Sequence, residues 1–398
     1  MLPRTPAAAQ RLGAVISPVI PKVAALMRQR PDCLSLAQGM VGWGPPEAVA
    51  TAVAAALAAP QNDLDRYGPM AGDGELLEAV RRELQGRRGL DLADSSLLVT
   101  AGSNMAFHAV VQALCDPGDE VLLPLPWYFN HAMAIQLAGG VPVPVAAGLV
   151  PDPSLLAAAI GPRTRAIVTV SPNNPSGVVI PPAVLTAINH LCAEHGLLHL
   201  SDEAYADFVH GAVPHHSPGS APGSGAHTAS FFSLSKSHGM AGWRIGFAAV
   251  PRPLLDALTK VQDTVLICPP RLTQRAATAA LADGSSWVSE RVRSLQPRRT
   301  QLLRAIAEAE GFALAGEPDG AFYALVEAPW RGNEEELLAH LVLGHGVAAL
   351  PGGAFGLPSQ PGRVTLRLSY GLLGEAELGE AMARLARALR PTPTLAAP

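Results

Sequence analysis

The spacing of hydrophobic residues changes repeatedly along the chain and predicts alternating helices and strands. Apolar residues recur at helical intervals over about 47–58 and 74–85. Short apolar runs, bounded by proline, glycine or polar residues, stand at 97–100, 120–123, 166–170 and 197–200. Such runs are typical of strands buried on both faces, so the pattern predicts an α/β fold with a mostly parallel central sheet flanked by helices.

The chain is longer than one hydrophobic core usually organises, and its punctuation indicates two domains. Residues 1–46 are rich in proline and glycine and end in a glycine-punctuated loop, 36–46, which we expect to cover a pocket. A long helical pattern over about 286–310 is expected to connect the main domain to a C-terminal one. We therefore expect a large domain over 47–296 and a smaller α+β domain built from 1–46 and 297–398.

Composition narrows the class of partner. The formal net charge is −4 at pH 7 and no basic run is present, so neither nucleic acid nor an anionic membrane surface is an expected partner. The longest nearly apolar stretch, 48–59, is too short to cross a bilayer. Four cysteines lie far apart, without the spacing of a zinc site or a disulfide framework: Cys33, Cys115, Cys192 and Cys268. We expect reduced thiols, a cytoplasmic or equivalent reducing location, and a small-molecule partner.

One of the three lysines of the chain stands in a run that carries several reactive groups. Lys236 follows the hydroxyls of Ser233 and Ser235 and precedes the guanidinium of Arg244. These groups suffice to hold an aldehyde cofactor covalently and to grip its phosphate. A solvated surface lysine is the alternative interpretation, but a Ser-Leu-Ser-Lys run followed by Gly-Trp-Arg is atypical of a surface helix. The run predicts pyridoxal phosphate chemistry.

Polar side chains follow two of the predicted strands. Asn174 comes after the 166–170 strand, and Asp202 and Tyr205 come after the 197–200 strand. Because ligand groups gather at the carboxyl ends of parallel strands, we expect these three side chains to converge. Taken alone, each is also compatible with a turn or a structural contact.

The ordered set of motifs, from the loop of Gly39 to Arg367, resembles the class I and II aminotransferases, which are fold-type I pyridoxal phosphate enzymes related to aspartate aminotransferase. The resemblance implies that Lys236 forms the Schiff base with the cofactor and moves a proton between carbon centres. It implies that Asp202 keeps the pyridine nitrogen protonated. It also implies that Asn174 and Tyr205 donate hydrogen bonds to the 3-oxygen of the cofactor ring.

The same resemblance assigns the remaining cofactor contacts. Tyr128 matches the aromatic residue that stacks on the ring. The phosphate cradle matches Ser103 and Asn104 at a helix N-terminus, with Ser233 and Arg244 completing it and Ser235 assisting. Tyr67 matches the tyrosine that reaches the phosphate from the other subunit, so a homodimer with shared active sites is implied.

Amino acids and 2-oxo acids are the implied substrates, because Arg367 matches the arginine that binds the substrate α-carboxylate through its guanidinium fork. Gly39, Asn174 and Trp43 are expected on the substrate side. No second arginine matches the one that dicarboxylate-specific relatives use. Val41, Trp127 and Tyr128 could join Trp43 in an apolar pocket, and the loop and aromatic run resemble a subgroup that acts on aromatic amino acids and methionine. The sequence thus favours transamination of apolar amino acids in two half-reactions.

Two alternatives to an aminotransferase remain open at this point. A carbon-sulfur lyase of the same fold would need the same cofactor, lysine and carboxylate clamp. A non-catalytic cofactor-sensing regulator would need a DNA-binding module, and the segment before Leu36 is too short and too interrupted by proline for one. No metal is expected, since the strand character of 197–200 opposes a site on His195 and His199.

Overall fold

The fold contains one seven-stranded sheet, one four-stranded sheet and one two-stranded pair in a computed structural model that describes residues 7–60, 63–282 and 284–390. The strands are β1 Leu34–Ser35, β2 Ser95–Thr100, β3 Glu120–Pro124, β4 Val141–Val145, β5 Thr164–Val170, β6 Leu198–Asp202, β7 Thr228–Ser233, β8 Gly246–Pro251, β9 Ala313–Leu314, β10 Tyr323–Pro329, β11 Val347–Ala348, β12 Leu350–Pro351 and β13 Arg363–Ser369.

Helices separate most of these strands. They are α1 Val19–Met27, α2 Glu47–Ala58, α3 Gly74–Gly86, α4 Ser103–Leu114, α5 Phe129–Leu137, α6 Pro153–Ala159, α7 Pro182–Glu194, α8 Leu234–Ser237, α9 Leu255–Leu266, α10 Arg271–Ala282, α11 Gly284–Arg293, α12 Gln296–Glu308, α13 Glu334–Ala339 and α14 Glu375–Ala388. Short 3-10 or π turns lie at Gln10–Ala14, Pro218–Ser220, Ser224–Ala226, Ala241–Trp243, Arg252–Leu254, His340–Gly344 and Gly352–Phe355. None of the helices in the described ranges is both long and apolar enough to cross a bilayer.

The seven-stranded sheet has the order β2-β8-β7-β6-β5-β3-β4, and it is parallel except for β8, which runs antiparallel to both of its neighbours. Both faces are covered: Leu98 packs with α4, α5 and α9, while Leu97 and Val99 pack with α3 and α10. Burial on both faces explains why the strands read as continuous apolar runs. The predicted α/β class with a mostly parallel sheet is confirmed.

The four-stranded sheet is antiparallel, with the order β12-β13-β10-β9, and it packs against α12 and α14. The helical pattern predicted over 286–310 forms two helices, because α11 ends at Arg293 and α12 begins at Gln296. Pro297 stands in the first turn of α12, where its missing N–H and fixed φ favour a helix start over a continuation. The predicted division into two domains stays a prediction, and its ends, 1–6 and 391–398, lie outside the described residues.

The first strand joins the C-terminal third of the chain. β1 pairs in parallel with β11, and the next residue, Leu36, bonds to Ala348 and Ser369 through its backbone. These bonds hold the loop that contains Gly39 against the four-stranded sheet. The loop therefore lies where residues of both large sheets meet.

Candidate active site

A cavity of about 90 Å³ lies at the carboxyl ends of β5, β6 and β7. Segments that are far apart in the sequence supply its walls, as expected for the strand ends of a parallel sheet. Ten predicted side chains meet there together with Val170 and Ala204: Ser103, Asn104, Tyr128, Asn174, Asp202, Tyr205, Ser233, Ser235, Lys236 and Arg244. The predicted convergence of Asn174, Asp202 and Tyr205 is a feature of the structure.

Lys236 lies on α8, the short helix that follows β7 directly. Its amine donates a hydrogen bond of 2.5 Å to the carbonyl oxygen of Gly39. Burial, followed by the positive charges of Arg367 and Arg244, lowers the pKa of Lys236 to about 8. About a tenth of the amine is therefore neutral at pH 7, far more than for a solvated lysine. A neutral amine is the form that attacks a carbonyl group.

Asp202 lines the cavity and is the last residue of β6. One carboxylate oxygen lies 3.0 Å from Nε2 of His131, and the other accepts a hydrogen bond from the backbone of Ala204. His131 stacks on Phe107, with ring centroids 4.1 Å apart, and meets Tyr128 edge-on at 5.2 Å. Sequence reasoning missed His131 as a partner of Asp202, although its position on the first turn of α5, three residues after Tyr128, was a usable signal.

Another part of the cavity lining is rich in hydrogen-bond donors. α4 begins at Ser103 after Gly102, whose φ is 87° and which provides no side-chain cap, so the first backbone amides of the helix lack a capping partner. A Cβ on Gly246 would lie 2.7 Å from the backbone nitrogen of Ser103, so glycine is needed for this close approach. Ser233 and Arg244 border the same space. Amides at a helix start, hydroxyls and a guanidinium form a donor set that suits a phosphate dianion.

Arg367 comes from β13 of the four-stranded sheet and is 2% exposed. Its guanidinium donates to the side-chain oxygen of Asn174 at 3.0 Å and to the carbonyl oxygen of Ala37. Its Nε is buried without a partner among the described residues. A buried guanidinium with an unpaired donor is a site that fits an anionic group such as a carboxylate.

A second tyrosine completes this side of the site. The hydroxyl of Tyr323, at the start of β10, lies 2.7 Å from the hydroxyl of Tyr205. Its ring lies beneath Arg367, 4.5 Å from the guanidinium carbon. Sequence reasoning missed Tyr323, because an aromatic residue in an apolar strand is typical of core packing and no local signal distinguishes the two cases.

Several predicted residues lie outside the cavity in the described part of the chain. Trp43 stacks on Phe208 at 6.4 Å, beside the apolar cluster of the four-stranded sheet, and Val41 is buried in that cluster. Trp127 lines a separate small cavity that also reaches Tyr128. Tyr67 is 79% exposed and borders a surface depression formed with Cys268 and Arg271, among others. The roles given to Trp43 and Tyr67 stay predictions.

Comparison with known proteins identifies the family. The model of "Aminotransferase class I and II" matches residues 31–385. An aromatic aminotransferase of Arabidopsis thaliana is 34% identical over 94% of this chain and 93% of the relative. The aspartate/prephenate aminotransferase of Thermus thermophilus is 36% identical over 92% of this chain and 94% of the relative. The structure of a Thermus thermophilus aspartate aminotransferase with maleate superposes with a TM-score of 0.87 at 33% identity, covering 97% of this chain and 100% of that one. The chain therefore belongs to the class I and II aminotransferases and is a pyridoxal phosphate-dependent enzyme of that family.

Proposed function

We propose that this aminotransferase binds pyridoxal 5′-phosphate on Lys236 and transfers an amino group from an L-amino acid with an aromatic or other apolar side chain, such as methionine, to a 2-oxo acid. The transfer takes place in two half-reactions of a ping-pong scheme. The carrying observation is that one cavity brings together the carboxylate of Asp202, the amine of Lys236 and a phosphate-type set of hydrogen-bond donors. The bound cofactor supplies an electron sink for the substrate carbon.

The walls of the cavity would hold and polarise the cofactor ring. Asp202, which contacts His131, would supply a buried carboxylate that favours the protonated form of the ring nitrogen. Tyr205 and Asn174 offer donors to the ring oxygen, and Tyr128 offers a ring face for stacking. The phosphate contacts would come from Ser103, Asn104, Ser233, Ser235 and Arg244.

Lys236 would do the proton transfer and Arg367 would orient the substrate. An amine whose pKa is about 8 can accept and return a proton near neutral pH at little cost. Arg367 would bind the α-carboxylate with its guanidinium, whose Nε has no protein partner among the described residues. The same guanidinium contacts the carbonyl of Ala37, in the loop whose Gly39 carbonyl accepts the hydrogen bond of the lysine amine. The two contacts would place the substrate α-carbon beside the group that moves its proton.

A homodimer is part of the proposal. Tyr67 is exposed beside Leu266 and Cys268, and the residues next to Leu266 in the sequence, Val265 and Ile267, are 59% and 41% exposed. Large apolar groups exposed together favour a protein partner. Arg271 anchors this surface through ion pairs to Asp63 and Asp73, so Tyr67 is presented by a braced segment. A partner subunit placed here would receive the Tyr67 hydroxyl at its own phosphate site.

The test follows the absorbance of the bound cofactor while single L-amino acids are added without a 2-oxo acid. Phenylalanine, tyrosine and methionine should convert the chromophore at least about tenfold faster than aspartate. The reason is that the site offers one arginine for the α-carboxylate and no second one for the side-chain carboxylate of aspartate. Adding a 2-oxo acid should restore the original spectrum. Comparable rates with aspartate would refute the apolar preference. Release of pyruvate and ammonia from cystathionine without an acceptor would identify a lyase instead.

A further inference from the structure

Tyr323 bridges the two large sheets of the protein. It is 1% exposed and begins β10 of the four-stranded sheet, yet its hydroxyl reaches Tyr205, which follows β6 of the seven-stranded sheet. The two rings meet edge-on, with centroids 5.4 Å apart. One side chain therefore links the wall that carries the expected substrate carboxylate site to the wall that carries the expected cofactor ring site.

The β10–β13 register explains why Tyr323 lies beneath Arg367. Arg367 stands directly opposite Leu325, and Tyr323 is two residues from Leu325 on the same strand. Side chains two residues apart on a strand share a face, so Tyr323 is the diagonal neighbour of Arg367 on that face. The guanidinium carbon lies 4.5 Å from the ring centroid, a distance typical of a cation–π contact.

The Tyr323 hydroxyl also defines the position of the Gly39 loop. A Cβ on Gly39 would lie 2.3 Å from this oxygen, closer than two such atoms can approach. The carbonyl of the same glycine accepts the hydrogen bond of Lys236. Tyr323 thus touches the loop that contacts the reactive amine, in addition to Tyr205 and Arg367.

The hydrogen bond between the two tyrosines has a defined direction once Tyr205 binds a ligand oxygen. Burial raises the pKa of Tyr323 to about 12 and raises the pKa of Tyr205 well above its usual value, so both hydroxyls keep their protons near neutral pH. A hydroxyl has one proton to donate. If Tyr205 donates it to the cofactor ring oxygen, Tyr205 must accept from Tyr323, and such a chain of donors strengthens each bond in it.

We propose that Tyr323 is a positioning residue with two separable actions: its hydroxyl orients and strengthens the donation from Tyr205 to the cofactor ring oxygen, and its ring supports Arg367 beneath the substrate carboxylate. The inference rests on the proposed binding of pyridoxal phosphate at Lys236. It adds a residue that touches neither the cofactor nor the substrate but acts on both through its neighbours.

Substitution separates the two actions in the cofactor-loaded enzyme. Tyr323→Phe removes the hydroxyl and keeps the ring, so the pH midpoint of the bound cofactor's absorbance should rise by about half a unit to one unit. The KM for the amino acid should change less than about threefold. Tyr323→Leu removes both, so it should give the same midpoint shift and raise the KM by about fivefold to tenfold.

Tyr370→Phe is the matched control, because Tyr370 is also a fully buried tyrosine next to the four-stranded sheet, with its hydroxyl directed to the carbonyl of Ala321. Tyr370→Phe should change neither the pH midpoint of the cofactor absorbance nor the KM for the amino acid. In a Tyr205→Phe background, Tyr323→Phe should cause no further midpoint shift, since the hydroxyl acts through Tyr205. Gly39→Ala should raise the midpoint with Tyr323 in place, because its methyl group displaces the hydroxyl.

Three results would overturn the inference: an unchanged midpoint in Tyr323→Phe, an equal shift in Tyr370→Phe, or additive shifts in the double variant. These differ from failure of the proposed function, which would show in the wild-type enzyme as absence of a cofactor chromophore that depends on Lys236. Circular dichroism melting of each variant separates loss of fold from loss of positioning.

Discussion

Two clusters of charged residues lie on either side of the segment 202–207. One cluster has equal numbers of positive and negative charges, and the other has an excess of positive charges. On one side lies an ion network of Glu83, Arg87, Arg88 and Asp207. Both arginines contact Asp207, at 2.7 and 2.6 Å, and Arg88 also lies 3.3 Å from Glu83. Although burial favours its neutral form, Arg88 and Arg87 lower the pKa of Asp207 to about 2. Two positive and two negative charges neutralise each other within the network.

On the other side lies the cofactor cavity, where positive charges exceed negative ones. Lys236, Arg244 and Asp202 line it, and Arg367 contacts the lining residue Asn174. Each arginine lowers the pKa of the lysine, which means that the positive charges repel one another. Arg244 is exposed, but Arg367 and the amine of Lys236 lie in the interior, where an excess of one sign is costly unless ligands of the other sign bind. Charged residues of the same types therefore stabilise the fold where their charges balance, and they form a binding site where one sign is in excess.

The largest expected effect is on the rate of transamination, and it comes from removing the lysine amine of the cofactor cavity. Lys236→Ala should reduce the rate of transamination by about 10⁴-fold or more, because both the covalent link and the proton carrier are lost. Borohydride treatment of the cofactor-loaded protein, followed by peptide mass mapping, should label Lys236 in the wild type. The matched control is Lys260→Ala, at an exposed position on α9, which should retain activity. Labelling at another residue would contradict the assignment.

Substitutions in the ion network of Arg88 and Asp207 should lower the stability of the protein. Arg88→Met leaves the largely enclosed carboxylates of Asp207 and Glu83 without one of their partners, so we expect the free energy of unfolding to fall by about 3–5 kcal/mol. Chemical denaturation monitored by circular dichroism measures the change. Arg304→Met is the control, since Arg304 and Glu308 form a pair that is 72% exposed at each side chain. Its effect should stay within about 0.5 kcal/mol, and equal losses in both variants would remove the distinction.

The pH dependence of cofactor capture tests the lowered pKa of Lys236. The neutral amine reacts, so in cofactor-free protein the capture rate should rise with pH and level off above the pKa of about 8. Between pH 7 and pH 9 the neutral fraction increases about tenfold. Stopped-flow absorbance with pyridoxal phosphate records this profile. Because Arg367 lowers the lysine pKa, Arg367→Met should move the profile to higher pH, and an unmoved profile would exclude that cause.

The smallest expected effect is on thermal stability, and it comes from anion binding at the proposed phosphate contacts. Inorganic phosphate at three times its dissociation constant should stabilise cofactor-free protein by about 0.8 kcal/mol. Arg244→Met should weaken this stabilisation, whereas Arg304→Met should preserve it. Thermal melting over a phosphate series, at constant ionic strength, provides the measurement. Stabilisation that survives Arg244→Met would place the anion elsewhere.

The sequence was sufficient to predict the site residues that lie close together in short motifs. The run around Lys236 and the polar residues after two apolar strands predicted the groups that meet in the cavity, because strand ends of a parallel sheet share an edge. Pro297 could also have marked the boundary between α11 and α12. These signals depend on backbone preferences that act over a few residues.

Tertiary contacts explain what the sequence did not disclose. His131 and Tyr323 gain their significance from partners that are distant along the chain, Asp202 and Tyr205. Trp43 was expected on the substrate side, but in the described residues it faces Phe208, a contact that depends on how the loop packs against the four-stranded sheet. Side-chain type alone does not specify such neighbours.

The pairing of β1 with β11 has a consequence for biosynthesis. The loop of Gly39 is synthesised long before the backbone groups that hold Leu36, because these belong to Ala348 and Ser369. Translation proceeds from the N-terminus, so the loop leaves the ribosome without those partners. The loop that touches Lys236 can therefore reach its final place only after Ser369 has been made, so a nascent chain that stops before Ala348 would lack a complete catalytic centre.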